Sequence, residues 1–280
     1  MSFEFINTGL SQTVAQPIYG TQDRGITPGG PMDAFSMQTG NLLLKQDKWS
    51  SAIEFIAPPV LFAKKDSYII LTGAPYEKII ITTDFKTQEI KHACVALMKK
   101  GSTISFEKKK CGFRTYFCYR SAETYHREIL NSERKDLSII TAWVAEDKSI
   151  RVMLGPEYDT LENPEAFFDT YWKIGLDTNQ MGMRLENSDV SLKSNCENMI
   201  SGPVADGTVQ LTQNGPIILL KHRQTVGGYP RIFNVIDADV DLLGQYLPLE
   251  FIKFSQVTLT EALAIKEQKN KSLPNVEFPI

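Results

Sequence analysis

Residues Pro216 to Val235 read PIILLKHRQTVGGYPRIFNV, and the parsing of this run decides the fold. Ile217, Ile218, Leu219 and Leu220 form a continuous apolar stretch, as a buried strand requires. Polarity reverses at Lys221, His222, Arg223, Gln224 and Thr225. Gly227-Gly228 marks a turn, and Ile232 to Ile236 is a second apolar strand. A Gly-Gly turn lets the backbone adopt positive φ and approach a ligand or another chain closely. Strand ends that deliver polar groups into such a turn are where sites are usually built; the competing reading is a hairpin with a polar loop. Alternate side chains of an extended chain share a face, so Lys221, Arg223 and Thr225 point one way and His222 and Gln224 the other. Two cations and a hydroxyl on one face suit a carboxylate or phosphate oxygen, with Arg able to bind two oxygens at once. The alternative is a solvated rim with counter-charges.

Strand patterns dominate the rest of the chain. Residues 2–7 and 12–18 alternate weakly and suit strands, and in the rest of the first half strand patterns fall at 53–56, 60–63, 68–72, 78–82, 92–98, 103–106 and 115–119, separated by Pro58-Pro59, Gly73, Asp84, Gly101 and Gly112. Between these two sets, Gly20 to Phe35 holds four glycines and two prolines in 16 residues and reads as a loop. It leads into a helix from about Met32 to Leu44, with Pro31 suited to its first turn and Asp33 to its positive end. In the second half, strands fall at 138–143, 150–154, 171–174, 181–185, 208–211 and 250–257. Helices are expected from Pro164 to about Thr170 behind an Asn163 cap, from an Asp237 cap to about Gln245, and from a Thr260 cap to about Gln268. The halves share one plan, and Thr27 to Pro31 (TPGGP) echoes Thr225 to Pro230 (TVGGYP). The fold class is therefore mainly β with a few short helices, in two related barrels. The polar run 121–137 places the boundary loosely, giving domains at 1–137 and 138–280.

Composition narrows the function classes. The chain has 280 residues, 42% hydrophobic and 22% charged, as in an ordinary soluble protein. A net charge of −3 gives no basic excess for nucleic acid or an anionic membrane. No apolar run is long enough to span a bilayer, and MSFEFINTGL lacks the features of a signal peptide. Cys94, Cys111, Cys118 and Cys196 form no CxxC pair and read as reduced thiols of a cytoplasmic protein. His92, His126 and His222 lack metal-like spacing, so no metal site is expected. No P-loop, GxGxxG, HExxH or GxSxG motif occurs.

Three further stretches carry candidate chemistry. Gly29 and Gly30 expose backbone N–H groups ahead of a helix, a junction able to hold an anion. Asp33 is either a general base or the cap of that helix. Arg184, after a glycine in a short strand, either reaches a site or pairs with Glu186. Gln210 lies in a buried-looking strand and needs a hydrogen-bond partner there.

The run from Arg223 to Gln245, RQTVGGYPRIFNVIDADVDLLGQ, resembles the RQTTGGYP block of the biotin-dependent carboxyltransferase family. That family takes in the C subunit of bacterial 5-oxoprolinase, the KipA proteins and the carboxyltransferase part of urea carboxylase (allophanate hydrolase subunit 2). TPGGPMDAFSMQTGNLLL, Thr27 to Leu44, is similar to the family's PPGGAMDxxxxxxAN block. RVMLGP at Arg151 to Pro156, MGMRLE at Met181 to Glu186, and SGPVADGTVQLTQNGPIILL at Ser201 to Leu220 resemble its RVLPGP, MGYRLEG and GAIQVPxxGQPIVLL. The blocks keep the family's order over nearly the whole chain. The departures make it a divergent member: Thr13 to Gly20 reads TVAQPIYG where the family has TVQDxGRxG, Asn179 and Gln180 replace Asp and Arg, His222 replaces Asp, Val226 replaces Thr, and CYRSAETYHREILNSERKDL lacks the Gly-rich stretches expected late in the first domain.

The resemblance implies two cyclophilin-like β-barrel domains. It implies a B-subunit (KipI-like) partner and, in 5-oxoprolinase, an A subunit, with ATP used by the complex to open 5-oxoproline to glutamate. Under this reading Arg223 and Arg184 bind a carboxylate or phosphoryl group, and Gly29, Gly30, Gly227 and Gly228 supply backbone donors. Asp33 is the candidate base, while Thr225, Gln224, Gln210 and Tyr229 position a small lactam or amide substrate. Carboxyl transfer from biotin is the alternative; this chain lacks an AMKM-like attachment signature, so biotin would ride on a separate carrier. A third reading is a non-enzymatic regulator of the KipA kind, bound to a kinase-inhibitor partner.

Overall fold

The structure is a computed structural model, and it describes residues 2–124, 149–187, 193 and 199–275. The expected strand at 138–143, the boundary between 137 and 138, His126 and Cys196 lie outside the described residues. Among the described residues the chain forms two units: one of 2–16, 33–124 and 272–275, the other of 17–32, 149–187, 193 and 199–271. The division is not the consecutive one expected, because 17–32 groups with the second unit. Backbone bonds hold it there: Gly29 N–H donates to Lys221 O at 3.2 Å.

The second unit is built on one eight-stranded sheet. Its order is Phe251–Ile252, Trp172–Ile174, Gly182–Glu186, Gly215–Leu219, Thr208–Thr212, Arg231–Val235, Ile150–Leu154, Phe254–Gln256. Only Lys253 separates the two edge strands in sequence. A residue advances the chain by only about 3.5 Å, too little to cross an open sheet. The edges must therefore meet, and the sheet curls into a barrel. This is why 250–257, expected as one strand, is two: Ile252 pairs antiparallel with Trp172, and Phe254 pairs parallel with Ile150. The barrel is filled by aromatic rings. Phe167 stacks on Phe233 at 4.3 Å and on Phe254 at 4.5 Å. Trp172 donates its indole N–H to Phe167 O at 2.9 Å.

The first unit pairs two five-stranded sheets. One runs Phe3–Asn7, Val60–Ala63, Thr103–Phe106, Ile79–Thr82, Thr87–Ile90; the other runs Leu10–Val14, Ala52–Ala57, Thr115–Ser121, Ser67–Gly73, Ala96–Met98. Phe3, Phe55, Leu61, Leu71, Ile104 and Phe117 are buried together in its core. The helix Ala34–Leu43 packs through Met37, beside Ile70, Tyr116 and Cys118. Gly40 permits the approach, since a Cβ there would lie 2.7 Å from Cys118 Sγ.

Most strand positions follow the sequence reading within a residue or two, but the strand expected at 12–18 is Leu10–Val14, and the two-residue strands Gly202–Pro203 and Val226–Gly227 have no counterpart in it. Thr87–Ile90 (TQEI) carries one apolar residue and forms an exposed edge, so its pattern gave no signal. The expected strand 92–98 shortens to Ala96–Met98, because Ala93 turns the chain at φ 56°. The last helix, Leu259–Ser272, is capped by Thr258 rather than Thr260. Glu261 N–H donates to Thr258 Oγ1 at 3.3 Å and Thr258 N–H to Glu261 Oε2 at 2.7 Å, a reciprocal capping box. Pro164 and Ile236, not Asn163 and Asp237, occupy the cap positions of helices Glu165–Asp169 and Asp237–Leu243. Among the described residues no helix is long and apolar enough to cross a membrane.

Candidate functional site

The segment after strand Gly215–Leu219 is a turn, since Arg223 N–H donates to Leu220 O at 3.1 Å. Its side chains nevertheless alternate as read from the sequence: Lys221, Arg223 and Thr225 are buried, and Gln224 and Val226 are exposed. Segment 17–32 is tied to the backbone here. Thr27 Oγ1 donates to Lys221 O at 3.0 Å, and Gln22 Nε2 donates to Val204 O at 2.5 Å and Thr225 O at 3.1 Å. His222 Nε2 lies 3.3 Å from Gly30 O. Gly29 and Gly30 have φ of 62° and 86°, a conformation that favours glycine. The expected anion loop is thus partly spent internally, because Gly29 N–H already serves Lys221 O.

The buried cations meet carboxylates that the sequence reading missed. Lys221 Nζ stands 3.9 Å from Asp206 Oδ2 and 3.8 Å from Asp241 Oδ1. Arg223 Nε lies 3.3 Å from Asp206 Oδ1, and Lys269 Nζ donates to Asp241 Oδ2 at 2.8 Å. Burial raises the Asp206 pKa above the usual carboxylate value, against the pull of Lys221 and Arg223. Burial also pulls on the Lys221 ammonium, but Asp241 and Asp206, with Tyr19 and Asp237, outweigh it and leave its pKa raised. Arg223 is 3% exposed, and its Nε and Nη1 make no well-formed hydrogen bond. The cluster is a buried ion network of three cations sharing two carboxylates rather than an open cradle for a phosphate. In sequence Asp206 sits in VADG, where an Asp before Gly reads only as a turn.

A cleft of about 360 Å³ opens elsewhere in the same unit. Arg184, Gln210, Gln224 and Tyr229 line it, with Asp177 and Asn179 on the adjoining turn. Arg184 pairs with Asp177, not Glu186: its Nε donates to Asp177 Oδ2 at 2.9 Å. Its Nη1 reaches Thr212 Oγ1 at 3.4 Å. Gln210 is buried and donates through Nε2 to Tyr229 O at 3.0 Å, the partner its strand position demanded. Gly227 lies against this carboxamide, where a Cβ would come within 2.6 Å of Gln210 Nε2. Neither Gly227 nor Gly228 has positive φ, so close approach rather than turn geometry calls for glycine at Gly227.

The remaining candidates lie elsewhere. Arg223 and Thr225 do not line the cleft, and Thr225 O is occupied by Gln22 and by Val204 N–H at 3.2 Å. Asp33 belongs to the other unit and caps its helix. Its Oδ1 accepts from Ser36 N–H at 3.0 Å and its Oδ2 from Ser36 Oγ at 2.5 Å. Among the described residues no group of three His, Cys, Asp or Glu side chains could hold a metal ion.

The model of the carboxyltransferase domain, subdomain A and B, matches residues 24–138 and 130–256. The chain belongs to this family. Within it, the 5-oxoprolinase C subunit of Haemophilus influenzae is 26% identical, covering 92% of each chain. Its counterpart in Escherichia coli is 25% identical over 96% of this chain and 95% of its own. Urea amidolyase of Saccharomyces cerevisiae is 23% identical over 90% of this chain, which spans only 16% of it. Among solved structures, Kluyveromyces lactis urea carboxylase superposes with a TM-score of 0.82 at 22% identity, covering 98% of this chain and 29% of that one. That likeness speaks for the fold, and the mainly-β barrel architecture is the carboxyltransferase one. In RVMLGP, Arg151 makes a two-pronged pair with Asp239, at 2.9 and 2.5 Å, and Gly155 fits where a Cβ would strike Arg231 O.

Proposed function

We propose that this chain is the C subunit of a 5-oxoprolinase-like amidohydrolase, working in a complex with a B-type and an A-type subunit. The reading rests on the end-to-end correspondence with the 5-oxoprolinase C subunit: 92% of both chains align, whereas urea amidolyase is matched over 16% of its length. The chemistry of the cleft supports it. Arg184 offers a guanidinium to a carboxylate, and Gln224 and Asn179 offer both donors and acceptors to a lactam N–C=O. Met181, Ile217 and Leu219 give ring methylenes an apolar wall. ATP is used by the complex. The Lys221–Arg223 cluster is a poor fit for its phosphates, because both cations are buried and already face Asp206 and Asp241.

Carboxyl transfer is the second reading, favoured by the family model and by the fold of urea carboxylase. It needs biotin on a separate carrier. The deciding assay is glutamate release from 5-oxoproline by the complex of all three subunits with ATP. Turnover that depends on every subunit and drops at least tenfold with Arg184→Gln is expected. A complex that instead carboxylates urea from a biotinylated carrier, with 5-oxoproline untouched, would replace the first reading with the second.

A further inference from the structure

Arg184 enters the cleft already paired, and the pairing has the form of an exchangeable contact. Its Nε donates to Asp177 Oδ2 at 2.9 Å and its Nη1 to Thr212 Oγ1 at 3.4 Å. Thr212 Oγ1 in turn donates to Gly215 O at 2.8 Å, which fixes the hydroxyl that orients the guanidinium. Among the described residues, Nη2 has no partner. Asp177 contributes one oxygen to one nitrogen, not the two-pronged contact that Arg151 makes with Asp239. Its side chain is 62% exposed, against 27% for Arg184.

The turn that carries Asp177 holds together without it. Thr178 N–H donates to Gly175 O at 3.3 Å, Asn179 N–H to Gly182 O at 3.1 Å, and Met181 N–H to Asn179 Oδ1 at 2.8 Å. The Asp177 carboxylate is therefore not needed to shape the loop, and solvent screening keeps its hold on Arg184 weak.

We propose that Asp177 is an internal competitor that occupies the carboxylate subsite of the cleft and yields it to a ligand bearing one carboxylate beside a neutral cyclic amide. A monocarboxylate exchanges for Asp177 one-for-one and gains the bare Nη2 as well. A lactam without a carboxylate has nothing to exchange and binds only to the carboxamide and apolar walls. This inference rests on the cleft being the lactam site, as proposed above.

The test is titration of the full chain, without partner subunits, by ligand-observed NMR. The probes are 5-oxoproline and 2-pyrrolidinone, the same ring without the carboxylate. Asp177→Asn removes the competitor and should tighten 5-oxoproline by up to about fivefold, the worth of a strong exposed ion pair. It should leave 2-pyrrolidinone unchanged. Arg184→Gln should weaken 5-oxoproline about tenfold or more and again spare 2-pyrrolidinone. An unchanged affinity in Asp177→Asn overturns the proposal, as does an equal change for both probes or no binding of 5-oxoproline by the wild-type chain. Tightening in Asp177→Asn without glutamate formation by the complex would remove the functional reading and leave the subsite standing.

Discussion

Replacing His92 with Leu should remove a defined part of the protein's acid sensitivity. His92 lies in the turn between strands Thr87–Ile90 and Ala96–Met98, and neither ring nitrogen makes a well-formed hydrogen bond. Burial lowers its pKa from 6.5 to about 4. The unfolded chain therefore takes up a proton near pH 6.5 that the folded chain refuses until about pH 4. Stability is complete above that window and falls as the pH drops through it. At pH 5 the unfolded imidazole is almost fully charged and the folded one almost neutral, which costs about 2 kcal/mol relative to pH 8. Urea unfolding of wild type and His92→Leu at pH 8 and pH 5 measures this directly. The pH-dependent loss should be smaller in the variant by about 2 kcal/mol, a fraction of a molar in midpoint. Equal losses in the two proteins would show that the imidazole protonates freely in the folded state and that the burial argument is wrong.

Three other substitutions test the roles read for residues outside the cleft lining. Asp206→Asn leaves the buried Arg223 without its counter-charge and should cost about 3 kcal/mol in urea unfolding, while the paired change Asp206→Leu with Arg223→Met should cost less. Gly227→Ala drives a methyl against the Gln210 carboxamide and should cost about 1–2 kcal/mol, and Gln210→Ala should relieve part of this in a double-mutant cycle. Asp33→Asn keeps a good cap for helix Ala34–Leu43 and should leave both stability and glutamate formation by the complex within a few-fold of wild type; a loss beyond about a hundredfold would restore Asp33 as a base.

Which features were legible in the sequence follows from the physics each residue reports. Strands such as Val60–Ala63 and Thr103–Phe106 follow from apolar pattern and turn residues, which are local properties. The barrel closure at Lys253 was not legible, because 250–257 has the pattern of one strand and only the closed sheet divides it. The alternation of Lys221, Arg223 and Thr225 was readable even though the backbone turns there, because segment 17–32 is bonded along this stretch. Asp206 and Asp241 lie 15 and 20 residues from Lys221 and have no pattern that marks them as its counter-ions. Arg184 was found as a candidate, but its partner Asp177 required the turn between two strands to be folded first.

His222, Val226 and Asn179, at which the sequence departs from the family blocks it resembles, fall at different places in the second unit. His222, in place of Asp, spends its Nε2 on Gly30 O, and Val226, in place of Thr, sits exposed in a two-residue strand paired with Gly202–Pro203. Neither change reaches the cleft lining. Asn179 does, and it trades a carboxylate for a carboxamide whose Oδ1 holds Met181 N–H. With that trade, Arg184 and Asp177 are the only formal charges among the described residues of the cleft wall, and they oppose each other. Under the proposed function, a monocarboxylate with a neutral amide would match the wall once Asp177 is displaced, whereas a ligand carrying several charges would leave some of them unpaired there.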